Sequence, residues 1–222
     1  MRSFDEIYAI TADRKGGAEA LEQMLAPAED PVDPAAIGDD RWLSNFTKGV
    51  FRAGFNWRVI DAKWDGFEAA FHGFAIGKCA MMDDEWFDAL IQDTRIVRHG
   101  AKIQSVRDNA VFLQELAQEH GSAARVFAEW PGEDYIGLLA LLKTRGTRLG
   151  GTTGQYALRF MGIDSFILSR DVVARLVAEG VIDKAPSSKK ALAAVQAAFN
   201  TWRDQSGRSL TEISRVLAMS IG

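Results

Sequence analysis

The segment RLGGTTGQYALRF, residues 148–160, combines residue types that can bind an anion. Gly150 and Gly151 stand directly before Thr152 and Thr153, where an apolar run with helical spacing begins. The start of a helix has unpaired backbone N–H groups and a partial positive charge. Glycines let the chain turn tightly there and let a ligand approach the backbone. Thr152 and Gln155 fit a capping box, which predicts that the helix starts at Thr153.

Two interpretations of this segment remain open from the residues alone. The first is a tight turn between two helices. The second is an anion site, because an apolar helix ends just before the segment, at Arg145–Gly146. Helix, hairpin GTRLGG and second helix together form a helix–hairpin–helix pattern, in which the bound anion would be a nucleic-acid phosphate.

The composition describes a chain that can bury a large core. It has 222 residues, of which 47% are hydrophobic, and five prolines. A single cysteine, Cys79, excludes an intrachain disulfide framework and argues against a cysteine-based zinc site, so we expect a reducing compartment and no cofactor. No apolar run approaches the roughly 18 residues of a membrane span, and the first ten residues, MRSFDEIYAI, lack a signal-peptide core. We therefore expect a cytoplasmic monomer that does not bind membranes.

Charge is distributed unevenly along the chain, although its net value is only −4. Residues 1–50 contain ten acids and five bases, whereas residues 142–176 contain six bases and two acids. The glycine-rich turn therefore lies in a basic part of an acidic protein. This pattern suits a local phosphate contact and argues against a large non-specific DNA-binding surface.

The hydrophobic spacing predicts an all-α protein. Helix-breaking prolines and acids in residues 26–38, APAEDPVDPAAIG, indicate a linker, and the short run DSFIL is too isolated to form a sheet. We predict one helical domain over 1–222, with N-terminal helices and linker in 1–38, a core in 39–180 and C-terminal helices in 188–222. Helix starts are predicted after five capping residues: Asp83, Ser122, Ser169, Ser188 and Ser209.

Several motifs in a shared order resemble one enzyme family. The order of hairpin, helix, short loop and the segment FILSRDVV resembles the helix–hairpin–helix DNA glycosylases. The runs RAGFNWRVIDAKWDGFEAAFHGF and MDDEWFDALIQDTRIVRHGAKIQSVRDNAVFL, together with LKTRGTRLGGTTGQY, narrow the resemblance to 3-methyladenine DNA glycosylase I. Together the motifs span residues 40–175. The resemblance implies a helical glycosylase-like bundle that excises a damaged base from double-stranded DNA.

The resemblance also implies roles for particular residues. Trp57 corresponds to the family's base-stacking tryptophan, and Phe55 and Asn56 would line the same pocket. Asp171 would be the catalytic carboxylate. In the hairpin, backbone amides would bind a phosphate with the help of two basic side chains; this DNA-binding set comprises Lys143, Arg148, Leu149, Gly150, Gly151, Thr152 and Thr153.

This sequence departs from the family at three places. The family's N-terminal stretch, with a tyrosine and HDxEWG, has no counterpart here, where DEIYAITADRKGG and a proline linker stand instead. The family has an acidic, base-recognising residue four positions before the alanine of its Ala-Gly pair, and here that position is Gly49. The family also joins its termini through a zinc ion, for which Cys79 and the three histidines have neither the spacing nor the position. Three functions therefore remain open: an active glycosylase for an alkylated purine such as 3-methyladenine, a catalytically inactive DNA-binding relative, and a helical scaffold in which the hairpin is only a turn.

Overall fold

The chain is all-α in the part that the structure describes, which is residues 1–27 and 32–221. This computed structural model contains fourteen α-helices and no β-strand within those residues. The fold class predicted from hydrophobic spacing is therefore confirmed. The helices are α1 Phe4–Lys15, α2 Ala18–Leu25, α3 Asp39–Arg52, α4 Trp57–Ala62, α5 Trp64–Ala70, α6 Ile76–Ala80, α7 Asp84–Leu90, α8 Gly100–His120, α9 Ala123–Ala128, α10 Tyr135–Arg145, α11 Thr152–Phe160, α12 Arg170–Ala178, α13 Lys189–Ser206 and α14 Leu210–Met219.

The helix starts predicted from capping residues are confirmed. Each capping side chain accepts a hydrogen bond from the backbone N–H three residues further on, which pairs one of the free donors at the helix start. The caps and their helices are Asp83 for α7, Ser122 for α9, Ser169 for α12, Ser188 for α13 and Ser209 for α14.

The capping box predicted for Thr152 and Gln155 is wrong. The N-cap of α11 is Gly151, and no side chain caps this helix. Gly151 has φ 61° and ψ −145°, a conformation that is open to glycine and strained for other residues. The turn therefore closes at Gly151, and α11 begins one residue earlier than predicted.

Two further segments differ from the sequence expectation or refine it. The helix expected over residues 57–72 is interrupted at Lys63, which separates α4 from α5, and the short helix α6 was not predicted.

The DSFIL run is extended and unpaired with any strand of the described residues, as expected. Its backbone N–H groups at Ser165 and Ile167 donate instead to the hydroxyls of Thr211 and Ser214 on α14, at 3.1 and 3.0 Å. Of the predicted linker, residues 28–31 lie outside the described residues, and Pro34–Ala36 forms one 3₁₀ turn.

The chain divides into two compact units. The first combines the described residues of the two chain ends, up to position 32 and from Asp164 onward, with Pro131–Gly137. The second combines Asp33–Trp130 with Leu138–Ile163. The single domain and its 39–180 core stay a prediction. Every helix in the described residues is too short or too polar to cross a bilayer.

The second unit is organised around α8, the longest helix. Helices α3, α6 and α9 pack against it, and α11 packs against α3. Its core contains an aromatic cluster in which Trp42 lies 4.8 Å from Phe127, between ring centroids, and Phe46 contacts both rings. These side chains are fully buried, so hydrophobic burial fixes α3 against α9.

The first unit joins both chain ends to α12 through a buried ion pair. Arg175 donates to the side-chain and backbone oxygens of Ser220, near the C-terminus, at 2.7 and 2.9 Å, and to the Glu179 carboxylate at 3.2 Å. That carboxylate also accepts from the backbone and the guanidinium of Arg2, both at 2.9 Å. Burial by itself would raise the pKa of Glu179, but the hydrogen bonds from Arg2 and Arg175 outweigh it and lower the pKa.

We predict that Glu179→Gln lowers the free energy of unfolding by about 3 kcal/mol at pH 7, because it leaves Arg175 buried without its counter-ion. Since the folded-state pKa of Glu179 is depressed, its contribution is present at neutral pH and is lost as the pH falls through that value. Urea unfolding at pH 7 and pH 3 measures both effects. The control is Glu129→Gln, which breaks an exposed Arg–Glu pair of the same i,i+4 spacing and should cost less than about 0.5 kcal/mol. Equal losses in the two variants would contradict the prediction.

Candidate functional site

A cavity in the second unit brings together several of the residues singled out in the sequence. Its volume is about 250 Å³, which is smaller than the roughly 300–1,000 Å³ of sites for drug-sized ligands and suits one small ring system. It is lined by Gly49, Arg52, Ala53, Gly54, Phe55, Trp57, Thr152, Thr153, Tyr156 and Phe160. The C-terminal end of α3, the turn before α4 with the first residue of α4, and one face of α11 along its whole length therefore form its walls.

Aromatic rings form much of the cavity wall and remain open to solvent. Trp57 is 43% exposed, and Phe55 and Phe160 are exposed as well. The Trp57 ring meets Tyr156 and Phe160 edge to face, with centroids 5.8 and 6.4 Å apart. Large aromatic side chains normally contribute to a core. Because these rings line an open cavity instead, they form a surface on which a planar ligand can stack.

Asn56, predicted to line the pocket, has a different place. It is the N-cap of α4, and its side-chain oxygen accepts a hydrogen bond from the backbone N–H of Arg58 at 3.0 Å. It is absent from the cavity lining, whereas its neighbours Phe55 and Trp57 belong to it. Asn56 therefore fixes the helix start that presents Trp57.

Arg52 supplies the positive charge in the cavity wall, and sequence reasoning missed it. Its guanidinium carbon lies 4.8 Å from the centre of the Trp57 ring and 5.6 Å from that of Phe160. One guanidinium nitrogen donates to Asp61 at 2.5 Å. The side chain is only 16% exposed, so the ion pair and the two rings hold the charge in place. An arginine at a helix end gives no local signal of this role in the sequence.

Gly49 lies where α3 approaches α11. A Cβ atom at this position would lie 3.6 Å from the Thr153 methyl group and 3.8 Å from the Ala157 Cβ, both ordinary contact distances. One turn earlier, the Asn45 side chain donates to the Ala157 carbonyl at 2.8 Å and joins the same two helices. The cavity wall therefore has room for a Cβ atom at position 49 but contains no side chain there.

The predicted hairpin connects α10 to α11 and is tightly closed. A Cβ on Gly154 would lie 2.3 Å from the Leu149 carbonyl oxygen, and one on Gly146 would lie 2.7 Å from the Leu142 carbonyl oxygen. Leu149 is buried between these turns. The close approach at Gly154 was not predicted, although GGTTG contains the residue. It places the hairpin directly against the start of α11.

The DNA-binding residues predicted in this hairpin divide between its surface and the cavity. Lys143 and Arg148 are exposed, and Gly150 lies beside the Lys143 side chain. Arg148 has φ 63°, a left-handed conformation that is uncommon for a residue other than glycine. Thr152 and Thr153 instead line the cavity together with Trp57. The hairpin and the cavity thus share the first turn of α11.

Two buried polar side chains of α8 hold the cavity loop and the hairpin. The Lys102 ammonium donates to the carbonyl oxygens of Phe51 and Ala53 at 3.3 and 2.6 Å and lies 4.5 Å from the centre of the Phe55 ring. Two turns later, Asn109 exchanges hydrogen bonds with the backbone of Thr147, at 2.8 and 3.1 Å. Burial, followed by the nearby charge of Arg148, lowers the pKa of Lys102. Neither role was predicted, although both residues lie in the motif RHGAKIQSVRDNA that carries the family resemblance.

Asp171 lies in the first unit, in the first turn of α12. Ser169 caps this helix by accepting from the backbone N–H of Val172, so the Asp171 carboxylate is not used as the cap. The side chain is exposed, and within the described residues its carboxylate has no hydrogen bond or ion pair. It is therefore an ionisable group with open access to solvent.

Metal-ligating side chains do not gather anywhere in the described residues in groups of three or more. Cys79 is the buried residue of α6, and desolvation raises the pKa of its thiol to about 12. The thiol donates a weak hydrogen bond to the Phe71 carbonyl at 3.5 Å. Cys79 is therefore a packed, unreactive side chain.

Comparison with known proteins supports the family resemblance. Residues 36–136 match the family model of the methyladenine glycosylases. DNA-3-methyladenine glycosylase 1 of Escherichia coli (strain K12) is 39% identical over 64 residues, which cover 28% of this chain and 34% of that protein. The match thus spans about a third of the length of that curated relative. The predicted resemblance to the 3-methyladenine DNA glycosylase I family is confirmed over the matched residues.

Solved structures show the same fold over a larger part of the chain. One similar structure is that of 3-methyladenine DNA glycosylase I from Staphylococcus aureus, which shows how that enzyme recognises 3-methyladenine. It matches with a TM-score of 0.50 and 18% sequence identity, and the match covers 69% of this chain and 90% of that chain. A variant of 3-methyladenine DNA glycosylase I from the same organism has a TM-score of 0.51 and 16% identity, over 81% and 100%. The helical arrangement is therefore that of these glycosylases.

We predict that Gly154→Ala destabilises the protein by about 3 kcal/mol, because the added methyl group would overlap the Leu149 carbonyl and force the hairpin away from α11. Urea unfolding measures the change. Gly77→Ala is the matched control, since it adds the same methyl group to a helical glycine with nothing within 4 Å. That control should be neutral or gain up to about 1 kcal/mol. Wild-type stability in Gly154→Ala would contradict the close approach seen here.

Proposed function

We propose that this chain, a divergent relative of the methyladenine glycosylases, is a DNA glycosylase that hydrolyses the N-glycosidic bond of an alkylated purine such as 3-methyladenine. One observation carries the proposal. The solvent-open rings of Trp57 and Phe55 share a single cavity with Thr152 and Thr153, the first residues after the hairpin. A stacking surface for a base and a turn suited to a phosphate are thus adjacent.

The cavity suits an extruded base. An enzyme that acts on a base within a duplex must first rotate the nucleotide out of the stack, and it then holds the base between aromatic or apolar side chains. Trp57 would provide the main stacking surface, with Phe55 at the side. Tyr156 and Phe160 would support the Trp57 ring in this position.

The hairpin would hold the DNA backbone next to the cavity. The backbone amides from Leu149 to Thr153 would bind a phosphate, because no side chain caps the start of α11. Exposed Arg148 and Lys143 would add charge to this contact. The proposed binding partner of this protein is therefore double-stranded DNA that contains a damaged base.

Asp171 is the proposed catalytic carboxylate. Cleavage of an N-glycosidic bond leaves positive charge on the sugar, which a nearby carboxylate stabilises, and the same group can orient or deprotonate the attacking water. Its carboxylate is exposed and has no partner among the described residues, which is consistent with this role. The reaction consumes only water, so the proposal includes no cofactor. We further propose that the enzyme is a monomer and works in the cytoplasm. Its single cysteine is buried and free, as is usual for proteins of a reducing compartment.

A second candidate function is a catalytically inactive relative that binds DNA through the hairpin. The observation that favours it is Gly49, which leaves the cavity wall without the acidic side chain of the resembled family. Such a protein would retain the phosphate contact without base excision.

We predict that the protein releases an alkylated purine from methylated duplex DNA. Trp57→Ala should slow single-turnover release about 10- to 100-fold, because base stacking contributes about 1–3 kcal/mol, and Trp57→Phe should restore most of it. Asp171→Asn should bind the duplex normally and release base at least about 100-fold more slowly. Asp183→Asn, which changes an exposed acid of the same unit, is the matched control and should be silent.

The opposite result would favour the second candidate. If the wild type releases no base but binds duplex with an affinity that falls as salt rises, the chain is a DNA-binding protein without this chemistry. Arg148→Ala and Lys143→Ala should then each reduce the salt dependence by about one phosphate contact. If neither base release nor salt-dependent binding occurs, the hairpin is only a turn, as in a helical scaffold.

A further inference from the structure

Both aromatic rings that would stack on a base have a cation at one face. The guanidinium carbon of Arg52 lies over the Trp57 ring, 4.8 Å from its centre, and the Lys102 ammonium lies over the Phe55 ring at 4.5 Å. Lys102 is buried, and the Arg52 side chain is only 16% exposed. The attraction between a cation and a ring face is stronger where the cation is shielded from water. These rings are therefore held in place although part of each is open to solvent.

The guanidinium of Arg52 is anchored to the helix that carries Trp57. Asp61 follows Trp57 by four residues in α4, so the two side chains lie on one side of this short helix. The Asp61 carboxylate accepts from a terminal nitrogen of Arg52 at 2.5 Å. Burial would raise the pKa of Asp61, but the hydrogen bond and the charge of Arg52 outweigh it and lower the pKa, so the carboxylate stays ionised at neutral pH. One guanidinium from α3 thus contacts both the ring and the acid of α4.

A second pair of a cation and a tryptophan lies beside the first. Lys48, one turn before Arg52 on α3, has its ammonium over the Trp64 ring, 4.9 Å from the ring centre. The same ammonium lies 3.4 Å from the Asp61 carboxylate, so the two cations share one acid. Because each cation covers a different tryptophan, either contact can be removed by mutation while the other is kept.

Trp57 depends on its cation more than Trp64 does. The Trp64 indole N–H donates to the Glu68 carboxylate at 3.1 Å, and the Trp64 ring stacks on that of Phe67 with centroids 5.0 Å apart. The Trp57 indole N–H has no hydrogen bond within the described residues, and its ring meets its aromatic neighbours only edge to face. Arg52 is therefore the group that covers a face of the Trp57 ring and opposes its rotation.

We propose that Arg52 is a positioning residue: anchored by Asp61, it holds the Trp57 indole in the orientation on which a base stacks. This inference rests on the proposed function, since it requires the cavity to take an extruded base. The guanidinium covers one face of the indole, which leaves the other face for the base. Because the ring is ordered beforehand, a base that binds does not have to order it. In this role Arg52 acts through Trp57 and touches no reacting atom.

Fluorine NMR of the full chain, with 5-fluorotryptophan in place of its six tryptophans, measures the orientation of the ring without any DNA. Loss of one resonance in Trp57→Phe assigns the Trp57 signal. Arg52→Met keeps an unbranched side chain but removes the guanidinium. It should shift the Trp57 resonance toward its position in the unfolded protein, because a ring without a cation at its face samples several orientations.

Lys48→Met is the matched control, since it removes the neighbouring cation of the same acid. It should shift the Trp64 resonance, which Trp64→Phe assigns, and leave the Trp57 resonance close to its wild-type position. The resonances of Trp42 and Trp202, which are fully buried, should stay in place in both variants and so show that the fold is intact.

The free base 3-methyladenine then tests whether the orientation of the ring matters for stacking. The base is titrated into each protein while the Trp57 resonance is recorded. Arg52→Met should raise the Kd about 10-fold, because part of the stacking energy is then used to order the ring. Lys48→Met should stay within about twofold of the wild type, as expected for a partly exposed ion pair.

The outcomes separate the positioning role from the proposed function. A Trp57 resonance that keeps its wild-type position in Arg52→Met overturns the role and leaves the glycosylase proposal standing. The role also falls if Lys48→Met shifts the Trp57 resonance equally, or if Arg52→Met shifts it without weakening the binding of 3-methyladenine. If the wild type neither binds 3-methyladenine nor releases a base from methylated duplex DNA, the cavity does not take a base, and the proposed function falls together with the role in stacking.

Discussion

The buried polar contacts of α8 are the constraint on which the candidate site depends. Lys102 and Asn109 lie two turns apart on this helix. Lys102 donates to the backbone of Phe51, at the end of α3, and of Ala53, just after it, and Asn109 exchanges hydrogen bonds with the backbone of Thr147 in the hairpin. The first holds the turn that precedes Trp57, and the second holds the hairpin. A buried ammonium or amide without partners would cost several kcal/mol, so these side chains enforce the backbone positions that satisfy them. The helix thereby sets both the wall of the cavity and the turn beside it.

The cavity lies in a fold that known glycosylases share, but its wall carries a positive charge that was not predicted from the sequence. The fold agrees with that of the methyladenine glycosylases that the chain resembles. In the cavity wall itself, position 49 is a glycine, and Arg52 supplies the charge. Because stacking on aromatic rings is tolerant of base identity, the polar groups of such a site decide which base is held.

Much of the fold could be predicted from sequence because its determinants are local. Ser169 and Ser209 precede apolar helical runs and cap their helices as expected. The start of α11 was misplaced, since the unusual backbone of Gly151 depends on how the hairpin closes against α11. Trp57 and Thr152 were singled out from motifs, but the cavity that joins them depends on the packing of α3 against α11. Arg52 and Lys102 were missed for the same reason: their roles come from tertiary neighbours, which no local pattern encodes.

Amide hydrogen exchange in Lys102→Met and Asn109→Leu tests the role of α8 most directly. The account predicts that the first variant speeds exchange about 10-fold or more in residues 53–57 and that the second does so in residues 147–153, where Thr147 loses its acceptor. Each variant should leave the amides in the middle of α8 protected, and Lys143→Met, on the exposed face of α10, should change neither segment. Wild-type exchange in both segments of the two α8 variants would show that the cavity turn and the hairpin hold their positions without this helix, which contradicts the account.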